Sequence, residues 1–282
     1  MEAHNYITDI EILGLWGRLD LKWRLRPDVN ILSGLNGSGK STIIRSLVQL
    51  FRSSRLAEDT RGLIRNVVIA FEDGTRLESG EVDRFSGHRI DVVSTFDNRL
   101  KEYEAVQRLS DGAVRTELDW EIYRLQKRYM SYQLAQGREA IRLLTRHAPP
   151  EELEALTRQK ILFFDLLDDL FRETGKTVDR NCDELNFDSD RGVITPYMLS
   201  SGEKQMLLIL ATVLTQNGAP AILLMDEPEI SLHFDWQSSL IENIRRLNPQ
   251  VQLVMSTHSP AVVMNGWTGH VTEISDLVVE RR

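Results

Sequence analysis

The chain has 282 residues, of which 41% are hydrophobic and 27% charged, a balance typical of a globular protein with a sizeable core. The 42 acidic and 34 basic residues give a net charge of −8, which excludes the basic field of a dedicated nucleic-acid binder but not a local basic patch. The single cysteine, Cys182, excludes an internal disulfide. With neither a secretory leader nor an apolar run near the ~20 residues of a bilayer helix, we expect a cytoplasmic protein without a membrane partner.

Strand patterns dominate the first hundred residues. Tyr6 to Trp16 and Leu19 to Leu25 predict two antiparallel strands joined by a short turn. Val29 to Ser33 predicts a short buried strand, and Thr42 to Phe51 has the apolar spacing of a helix. Further along, the predicted elements are a hairpin over Arg65 to Glu78 that turns at Asp73-Gly74, and a strand over Ile90 to Phe96.

A phosphate-binding loop lies between the third strand and the first helix, from Gly34 to Thr42. Its glycines let backbone N–H groups turn toward the α- and β-phosphates of a nucleotide, at the positive end of the following helix. The spacing assigns Lys40 to the β/γ-phosphates and Ser41 to Mg²⁺. The alternative, an accidental glycine-rich turn, does not require the flanking strand and helix. The residues expected to bind the nucleoside triphosphate are Asn36, Gly37, Ser38, Gly39, Lys40, Ser41 and Thr42.

The stretch from about Lys101 to Lys176 has few glycines, dense charge and apolar residues at helical spacing. It predicts one helix over Glu117 to His147 and a second over Glu151 to about Glu173. This helical hairpin either packs on the core or projects as an arm that contacts a partner. Its apolar positions are Leu118, Ile122, Leu125, Tyr129, Tyr132, Ile141 and Leu144 on the first helix, and Leu153, Leu156, Ile161, Phe164, Leu167 and Phe171 on the second.

Two carboxylates follow a continuous apolar strand, Ala221 to Met225. A buried strand delivers such residues to the rim where α/β sheets bind ligands. We expect Asp226 to hold Mg²⁺ and Glu227 to polarise the attacking water, whereas a solvated acidic pair is the plainer alternative. The next apolar strand, Val251 to Thr257, ends at His258, which either senses the γ-phosphate or is an ordinary loop histidine.

Leu199 to Glu203 precedes an apolar helix over Met206 to Leu214. Ser200 and Glu203 satisfy a capping box, so a well-capped helix start explains the segment. The same glycine-bearing helix start is also suited to binding an anion.

In combination these motifs resemble the ABC-type ATPase superfamily. Leu-Ser-Ser-Gly-Glu (199–203) is similar to its signature motif, in the expected order between the phosphate loop and Asp226-Glu227. Gly-Leu-Asn-Gly-Ser-Gly-Lys-Ser (34–41), Asp-Glu-Pro-Glu-Ile-Ser-Leu-His (226–233) and Ser-Thr-His-Ser-Pro (256–260) are similar to RecF, SMC and OLD-type ATPases rather than to transporter modules. The chain especially resembles compact AAA-type ATPases that accompany nucleases in bacterial anti-phage systems, in which Trp236-Gln237 is also a familiar pair.

The resemblance implies that two copies pair head to tail, with the signature residues of one copy capping the ATP held by the other. The residues assigned to this role in trans are Ser200, Ser201, Gly202 and Glu203. Glu229 to His233 would form the dimer-contacting loop. Two features depart from the superfamily: no long SMC-type coiled coil is present, and no glutamine follows the strand at Ile90, where Asp97 or Asn98 would have to substitute.

We therefore predict an α/β protein, a P-loop NTPase with an ABC-type ATPase head, an antiparallel β subdomain and a short α-helical hairpin insertion. The expected segments are an N-terminal lobe (1–100), the helical insertion (101–180) and a C-terminal lobe (181–282). The predicted activity is ATP hydrolysis, with Glu227, His258 and Lys40 as catalytic residues and Mg²⁺ held by Ser41 and Asp226. The alternatives are the nucleotide-binding subunit of an ABC transporter and a scaffold that binds ATP without turnover.

The expected partners are ATP, further copies of the chain in a homodimer or higher oligomer, and a separate effector protein such as a nuclease. DNA is a further candidate, because Arg138, Arg142 and Arg146 recur every four residues along the first hairpin helix. Solvated helix faces have the same pattern. Trp16 and Trp23 are the candidates for contact with the adenine.

Overall fold

The computed structural model describes residues 6–80, 89–94 and 114–279, and the chain forms two compact units. The first unit comprises Met1–Thr95, Ala219–Ile230 and Gln250–Arg282, and the second comprises Phe96–Gly218 and Ser231–Pro249. Each unit is therefore assembled from separate stretches of the chain. The division into segments 1–100, 101–180 and 181–282 stays a prediction.

A five-stranded antiparallel sheet forms one layer of the first unit. The two N-terminal strands pair with each other, as the sequence predicts, and the predicted hairpin turns at Asp73-Gly74, where the Phe71 N–H donates to the Thr75 carbonyl (2.9 Å). In spatial order the strands are β13 (Val278–Val279), β2 (Leu19–Arg24), β1 (Ile7–Leu15), β4 (Asn66–Phe71) and β5 (Arg76–Glu78).

A five-stranded parallel sheet forms the second layer of this unit. In spatial order its strands are β12 (Val271–Glu273), β3 (Val29–Ser33), β11 (Val251–Ser256), β10 (Ala221–Asp226) and β6 (Ile90–Ser94). The two central strands, β10 and β11, are buried at every residue, as expected of strands covered on both faces. Their parallel register places the carboxyl ends of both strands at the same edge of the sheet.

The helices of the first unit are α1 (Lys40–Ser53), α2 (Glu58–Arg61) and α7 (Pro260–Met264). Helix α1 has apolar residues at helical spacing, and Ile43, Ile44 and Leu47 bury its inner face in a hydrophobic cluster. Members of the same cluster come from both sheets, including Ile10 of β1 and Leu224 of β10. This packing fixes the start of α1, and with it the phosphate loop, relative to the ends of the parallel strands.

The second unit is built mainly from helices. The predicted hairpin is confirmed as α3 (Glu117–Thr145) and α4 (Pro150–Phe171), and the side chains of Thr116 and Asp119 form a capping box at the start of α3. The unit also contains α5 (Ser201–Leu214), α6 (Phe234–Leu247) and the antiparallel strands β7 (Lys176–Val178), β8 (Phe187–Ser189) and β9 (Gly192–Ile194). The sequence pattern predicts neither α6 nor β7. Apart from the partly buried Trp236, the first half of α6 is polar or exposed, and its buried apolar residues begin only at Leu240.

A buried glutamine in β11 connects the two sheets of the first unit. The amide oxygen of Gln252 accepts the Ile7 N–H (2.8 Å), while its NH₂ group donates to the carbonyls of Ile7 (2.8 Å) and Arg26 (2.7 Å). One side chain therefore satisfies three backbone groups of the segments that begin β1 and follow β2.

We expect Gln252→Leu to lower the free energy of unfolding by about 2–4 kcal/mol, because buried backbone groups left without hydrogen bonds cost about 1–3 kcal/mol each. Urea denaturation measures the change. Gln49→Leu is the matched control, since Gln49 is partly exposed and accepts one N–H, from Ala57 (2.9 Å). A Gln252→Leu loss no greater than that of the control would contradict the bridging role.

Candidate functional site

The phosphate loop connects β3 to α1 and lies within the first unit. Gly39 precedes α1 with φ 103°, a left-handed conformation that favours glycine. A Cβ at this position would also lie 3.1 Å from the Trp16 ring and 3.3 Å from Leu15. The loop therefore rests directly on the end of β1, with Trp16 beneath it.

The two tryptophans that the sequence analysis considered for adenine contact differ in position. Trp23 is buried in the hydrophobic cluster of the first unit and offers no open ring face to a ligand. Trp16 is partly buried against Gly39. Asp97 and Asn98, considered as substitutes for the missing glutamine, lie outside the described residues.

Lys40, the first residue of α1, is buried, and its ammonium donates to the carbonyls of Gly34 (2.8 Å) and Leu35 (3.1 Å). Burial lowers the pKa of Lys40, and the carboxylates of Glu227 and Asp226 partly oppose that shift. The lysine thus lies between the phosphate loop and the acidic strand end, and its assignment to the β/γ-phosphates stays a prediction.

Asp226 is the last residue of β10, and its carboxylate is held by hydroxyl groups from two other elements. In the parallel register Asp226 lies opposite Ser256 of β11, whose hydroxyl donates to Oδ1. The Ser41 hydroxyl of α1 hydrogen-bonds the same carboxylate. Burial raises the pKa of Asp226, although both serines lower it in part. Ser256 was missed by the sequence analysis, and its position at the end of the strand beside β10 is the signal that could have found it.

These oxygen donors fit Mg²⁺. The ion prefers oxygen ligands and is commonly held by one or two protein groups together with substrate phosphates and water. The Ser41 hydroxyl interacts with the Asp226 carboxylate and lowers its pKa. Among residues 6–80, 89–94 and 114–279, no cluster of three or more His, Cys, Asp or Glu side chains could hold a metal alone. Ser41 and Asp226 offer the one or two protein oxygens that such an Mg²⁺ site requires, and the metal itself stays a prediction.

Glu227 and His258 form a close pair beside Asp226. His258 Nε2 lies 2.7 Å from Glu227 Oε1, and both side chains are partly exposed. Glu227 adopts φ 45°, which for a residue with a side chain costs about 1–3 kcal/mol and commonly occurs at functional sites. Its N–H donates to the Ser256 carbonyl (3.1 Å), which holds this conformation. Glu227 and His258, which follow two different strands in the sequence, are thus brought together in the structure.

Glu229 holds the backbone segment that contains His258. Its Oε1 accepts the Thr257 hydroxyl and the His258 N–H (3.0 Å). The sequence analysis placed Glu229 only in a dimer-contacting loop. In the structure its buried carboxylate positions the backbone of His258, so Glu229 joins the site as a positioning residue.

The signature residues belong to the second unit and start α5. Ser200 and Ser201 are exposed, whereas Gly202 is buried, and the Ser231 carbonyl occupies the space that a Cβ at Gly202 would need. Any side chain at Gly202 would displace the loop that contains Ser231. The backbone of this signature glycine is therefore packed against the predicted dimer-contacting loop.

Glu203 is 1% exposed and satisfies the predicted capping box: its N–H donates to Ser200 Oγ (3.3 Å), and its Oε2 accepts the Ser200 N–H (2.8 Å). Its Oε1 accepts Thr174 Oγ1 and Lys176 Nζ, both at 2.7 Å. Burial alone would raise the pKa of Glu203, but the bonds from Lys176, Thr174 and Ser200 lower it overall. Glu203 therefore has a structural task at the start of α5, and its predicted role in trans stays a prediction.

The arginines considered for DNA contact on α3 are partly neutralised. Arg142 pairs with Glu139 (2.7 Å), and Arg146 pairs with Glu152. In the described part of the chain, none of the helices is long and apolar enough to cross a membrane.

The parallel sheet, the phosphate loop and the acidic strand end define the fold as that of an ABC-type P-loop ATPase head. Residues 71–265 match the family described as an AAA domain, putative AbiEii toxin, Type IV TA system, and the chain belongs to this family.

Similar proteins are known from several bacteria. The Septu protein PtuA of Bacillus thuringiensis is 23% identical over 304 residues, covering 91% of this chain and 72% of that protein. The Retron Vc95 probable ATPase of Vibrio cholerae is 32% identical over 104 residues, which are 36% of this chain and 20% of that protein. An uncharacterized ABC transporter ATP-binding protein of Haemophilus influenzae is 42% identical over 65 residues, covering 23% of this chain and 24% of that protein.

The fold is also similar to solved structures of Smc head domains. One, from Pyrococcus furiosus with an extended coiled coil and bound to the C-terminal domain of ScpA, has a TM-score of 0.51 at 17% identity, covering 93% of this chain and 92% of that chain. A second, bound to the C-winged helix domain of ScpA, has a TM-score of 0.53 at 16% identity and covers 92% of each chain. These likenesses confirm the predicted ATPase head fold.

We expect Asp226→Asn to stabilise the protein in buffer free of nucleotide and Mg²⁺, with a pH-dependent gain. Because the native state raises the Asp226 pKa above 3.8, it binds the proton more tightly than the unfolded chain does. The stability of the native protein therefore falls as pH rises from 3.8 through the raised pKa. The amide of the variant carries no charge, so the Tm of Asp226→Asn should exceed that of the native protein at about pH 8, and the gap should narrow toward about pH 4.5.

Thermal unfolding at both pH values in EDTA measures this gap. Asp276→Asn is the control, because Asp276 is exposed and the same chemical change there should leave Tm nearly unchanged. A constant gap, or a less stable Asp226→Asn variant at the higher pH, would show that the buried carboxylate does not destabilise the fold.

Proposed function

We propose that this protein binds and hydrolyses ATP, and that ATP closes a head-to-tail dimer that controls a separate effector protein. The observation that carries the proposal is the grouping of Lys40, Ser41, Asp226, Glu227 and His258 around the carboxyl ends of β10 and β11. A scaffold that only held ATP would have no chemical need for a carboxylate paired with a histidine at this position.

In this mechanism Lys40 binds the β- and γ-phosphates, and backbone N–H groups of Gly37 to Ser41 surround the phosphate chain. Ser41 and Asp226 would hold Mg²⁺, which when bound would neutralise charge on the phosphate oxygens. The Glu227 carboxylate orients a water for in-line attack on the γ-phosphorus and takes its proton. The bond to the β-phosphate oxygen breaks, so ADP and phosphate leave.

His258 positions Glu227. With His258 Nε2 on Oε1 at 2.7 Å, the second carboxylate oxygen is left for the water. A γ-phosphate near His258 would compete for the same ring nitrogen, so the pair links the state of the nucleotide to the orientation of the catalytic carboxylate. His258 therefore serves as the γ-phosphate sensor.

The start of α5 is suited to capping a nucleotide held by a second copy. Ser200 and Ser201 are exposed at the N-terminus of a 14-residue helix, where N–H groups and the helix dipole favour an anion. Two ion pairs connect this helix start to the hairpin: Lys176 with Glu203, and Lys204 with Asp119 at the cap of α3, each at 2.7 Å. Closure of a dimer on ATP would therefore also move the hairpin.

The proposed setting is anti-phage defence, with a nuclease as the leading class of effector. Support comes from the similarity to PtuA and to a retron ATPase, and from the sequences of the motifs in this chain. DNA remains a proposed further partner, although Arg142 and Arg146 of α3 already pair with carboxylates.

The nucleotide-binding subunit of a transporter is the second candidate function. The alignment with the Haemophilus protein favours it, but this alignment covers less than a quarter of either chain. The PtuA alignment extends over 91% of the chain, and we therefore prefer the defence setting.

We expect Glu227→Gln to bind ATP normally, to hydrolyse it at least about 100-fold more slowly, and to accumulate as an ATP-dependent dimer, because loss of a general base typically costs 10²–10⁴ in rate. Phosphate release and light scattering with and without Mg-ATP measure the two effects. Lys40→Ala should lose ATP binding, and Glu72→Gln, at an exposed hairpin position, should behave like the native protein. A monomeric Glu227→Gln variant with full activity would refute the mechanism.

A further inference from the structure

Helix α3 is apolar on two faces. Its inner face is buried in the second unit by Ile122, Leu125, Tyr129, Tyr132 and Leu143. A second row, which we name the outer stripe, consists of Met130, Leu134, Ile141 and Leu144, whose exposed fractions are 39%, 64%, 66% and 64%.

The outer stripe has the geometry of a helix-packing seam. Together with Gly137, its residues are spaced by four, three, four and three positions, and at 3.6 residues per turn they fall within a band of about 80°. The band extends for about 21 Å along α3. A Cβ built on Gly137 would meet nothing within 4 Å, so the middle of the seam is open to a close-packed neighbour. Scattered exposed apolar residues are ordinary, but four in one row mark an interaction surface.

The sequence pattern alone places these residues differently. It groups Ile141 and Leu144 with Ile122, Leu125 and Tyr129 on a single apolar side. The structure separates them, because the buried residues and the outer stripe lie on different faces of α3.

The second hairpin helix, α4, adds one further exposed apolar residue near the level of Leu134. Ile161 of α4 is half exposed, and the bond from Lys160 Nζ to Gln133 Oε1 places it near the level of Leu134.

The charge around the outer stripe defines its partner. Between Ile122 and Thr145, α3 carries five basic residues and one acidic residue, Glu139. Glu139 is already paired with Arg142, while Arg138 is exposed on the flank of the stripe. On the opposite flank, at Gln133 and Ala140, α3 itself has no charged residue, and the ammonium of Lys160 from α4 bonds Gln133 there. The surface is therefore an apolar row with a positive border.

We propose that the outer stripe docks an amphipathic helix of the effector protein, with apolar residues at positions i, i+3 or i+4, and i+7 and with acidic residues along its border. Opposite charges at the border select such a helix and set its orientation. A second copy of α3 fits less well, because antiparallel pairing across Gly137 would bring Arg138 of each copy together. This inference rests on the proposed function in one respect, because it requires a separate effector protein.

Ion pairs between the hairpin and α5 connect the helix that carries the outer stripe to the signature segment. Asp119 at the start of α3 and Lys176 after α4 hold Lys204 and Glu203, the residues that follow the exposed signature serines. An effector bound to the outer stripe is thereby connected to the helix start that caps ATP.

The test uses the full chain and three fluorescent helical peptides of about 21 residues, the length that covers the stripe. The first has leucine at stripe-matching positions and glutamate at the border, the second replaces glutamate by lysine, and the third has the first composition in scrambled order. Fluorescence anisotropy should show that the glutamate peptide binds at least about 10-fold more tightly than the other two, with affinity falling as salt is raised.

Variants of α3 locate the binding. Leu134→Gln with Ile141→Gln should weaken binding of the glutamate peptide at least about 10-fold, because it removes the apolar centre of the stripe. Ala135→Gln, exposed on the same helix but off the stripe, should not. Arg138→Glu should shift the preference toward the lysine peptide. Circular dichroism and Tm should match the native protein, because these side chains are exposed. Equal binding to the double variant, or an unchanged charge preference in Arg138→Glu, would overturn the proposal.

The docking result and the proposed function can fail separately. The double variant should retain ATP turnover and ATP-dependent dimerisation, and Glu227→Gln should retain peptide binding. An ATP-independent dimer that Leu134→Gln with Ile141→Gln converts to monomer would show that a second copy occupies the stripe, and would also overturn the proposal.

Discussion

The carboxylate of Asp226 ends a strand that is buried at every residue, and a charge there requires compensation. The register of β10 and β11 supplies Ser256, and the packing of α1 against both sheets supplies Ser41. Lys40 begins the same helix, while Glu227 and His258 follow the two strands. The contacts that hold one buried carboxylate thus also bring together the groups that phosphoryl chemistry needs. In this unit the packing of the parallel sheet therefore also determines the geometry of the candidate site.

In the second unit, ion pairs compensate two largely buried charges of the signature segment. Glu203 and Lys204 are adjacent in the signature segment, and each pairs with a residue at the base of the hairpin. Such pairs contribute little net stability when compared with apolar packing, yet losing one partner is costly. Here the two ion pairs determine position, because they hold the exposed start of α5 and the hairpin in one arrangement. The close approach of Gly202 to Ser231 extends this arrangement, within the same unit, to the segment that precedes α6.

Much of the first unit was predictable because its signals are local. The phosphate loop, the hairpin at Asp73-Gly74 and the apolar run before Asp226 each specify structure within a few residues. Contacts that depend on register between distant strands were not predictable in this way: Ser256 joins the site through its pairing with Asp226, and Glu229 through its bond to His258. The sequence pattern merges the two faces of α3, because spacing of three and four residues does not reveal which of two apolar rows is buried. Helix α6 was missed since its apolar face begins late.

The site proposed for this protein is composite, with ATP held by one copy and capped by another. Mixing two inactive variants tests it directly. Lys40→Ala disables the phosphate loop, and Ser201→Arg blocks the exposed signature start without removing the Ser200 cap. In a mixed dimer the Lys40 of one copy meets the Ser201 of the other, so ATP turnover should recover to roughly a quarter of the native rate, because about half of the dimers are mixed and each has one intact site. No recovery on mixing, or full activity of Ser201→Arg alone, would contradict the composite site.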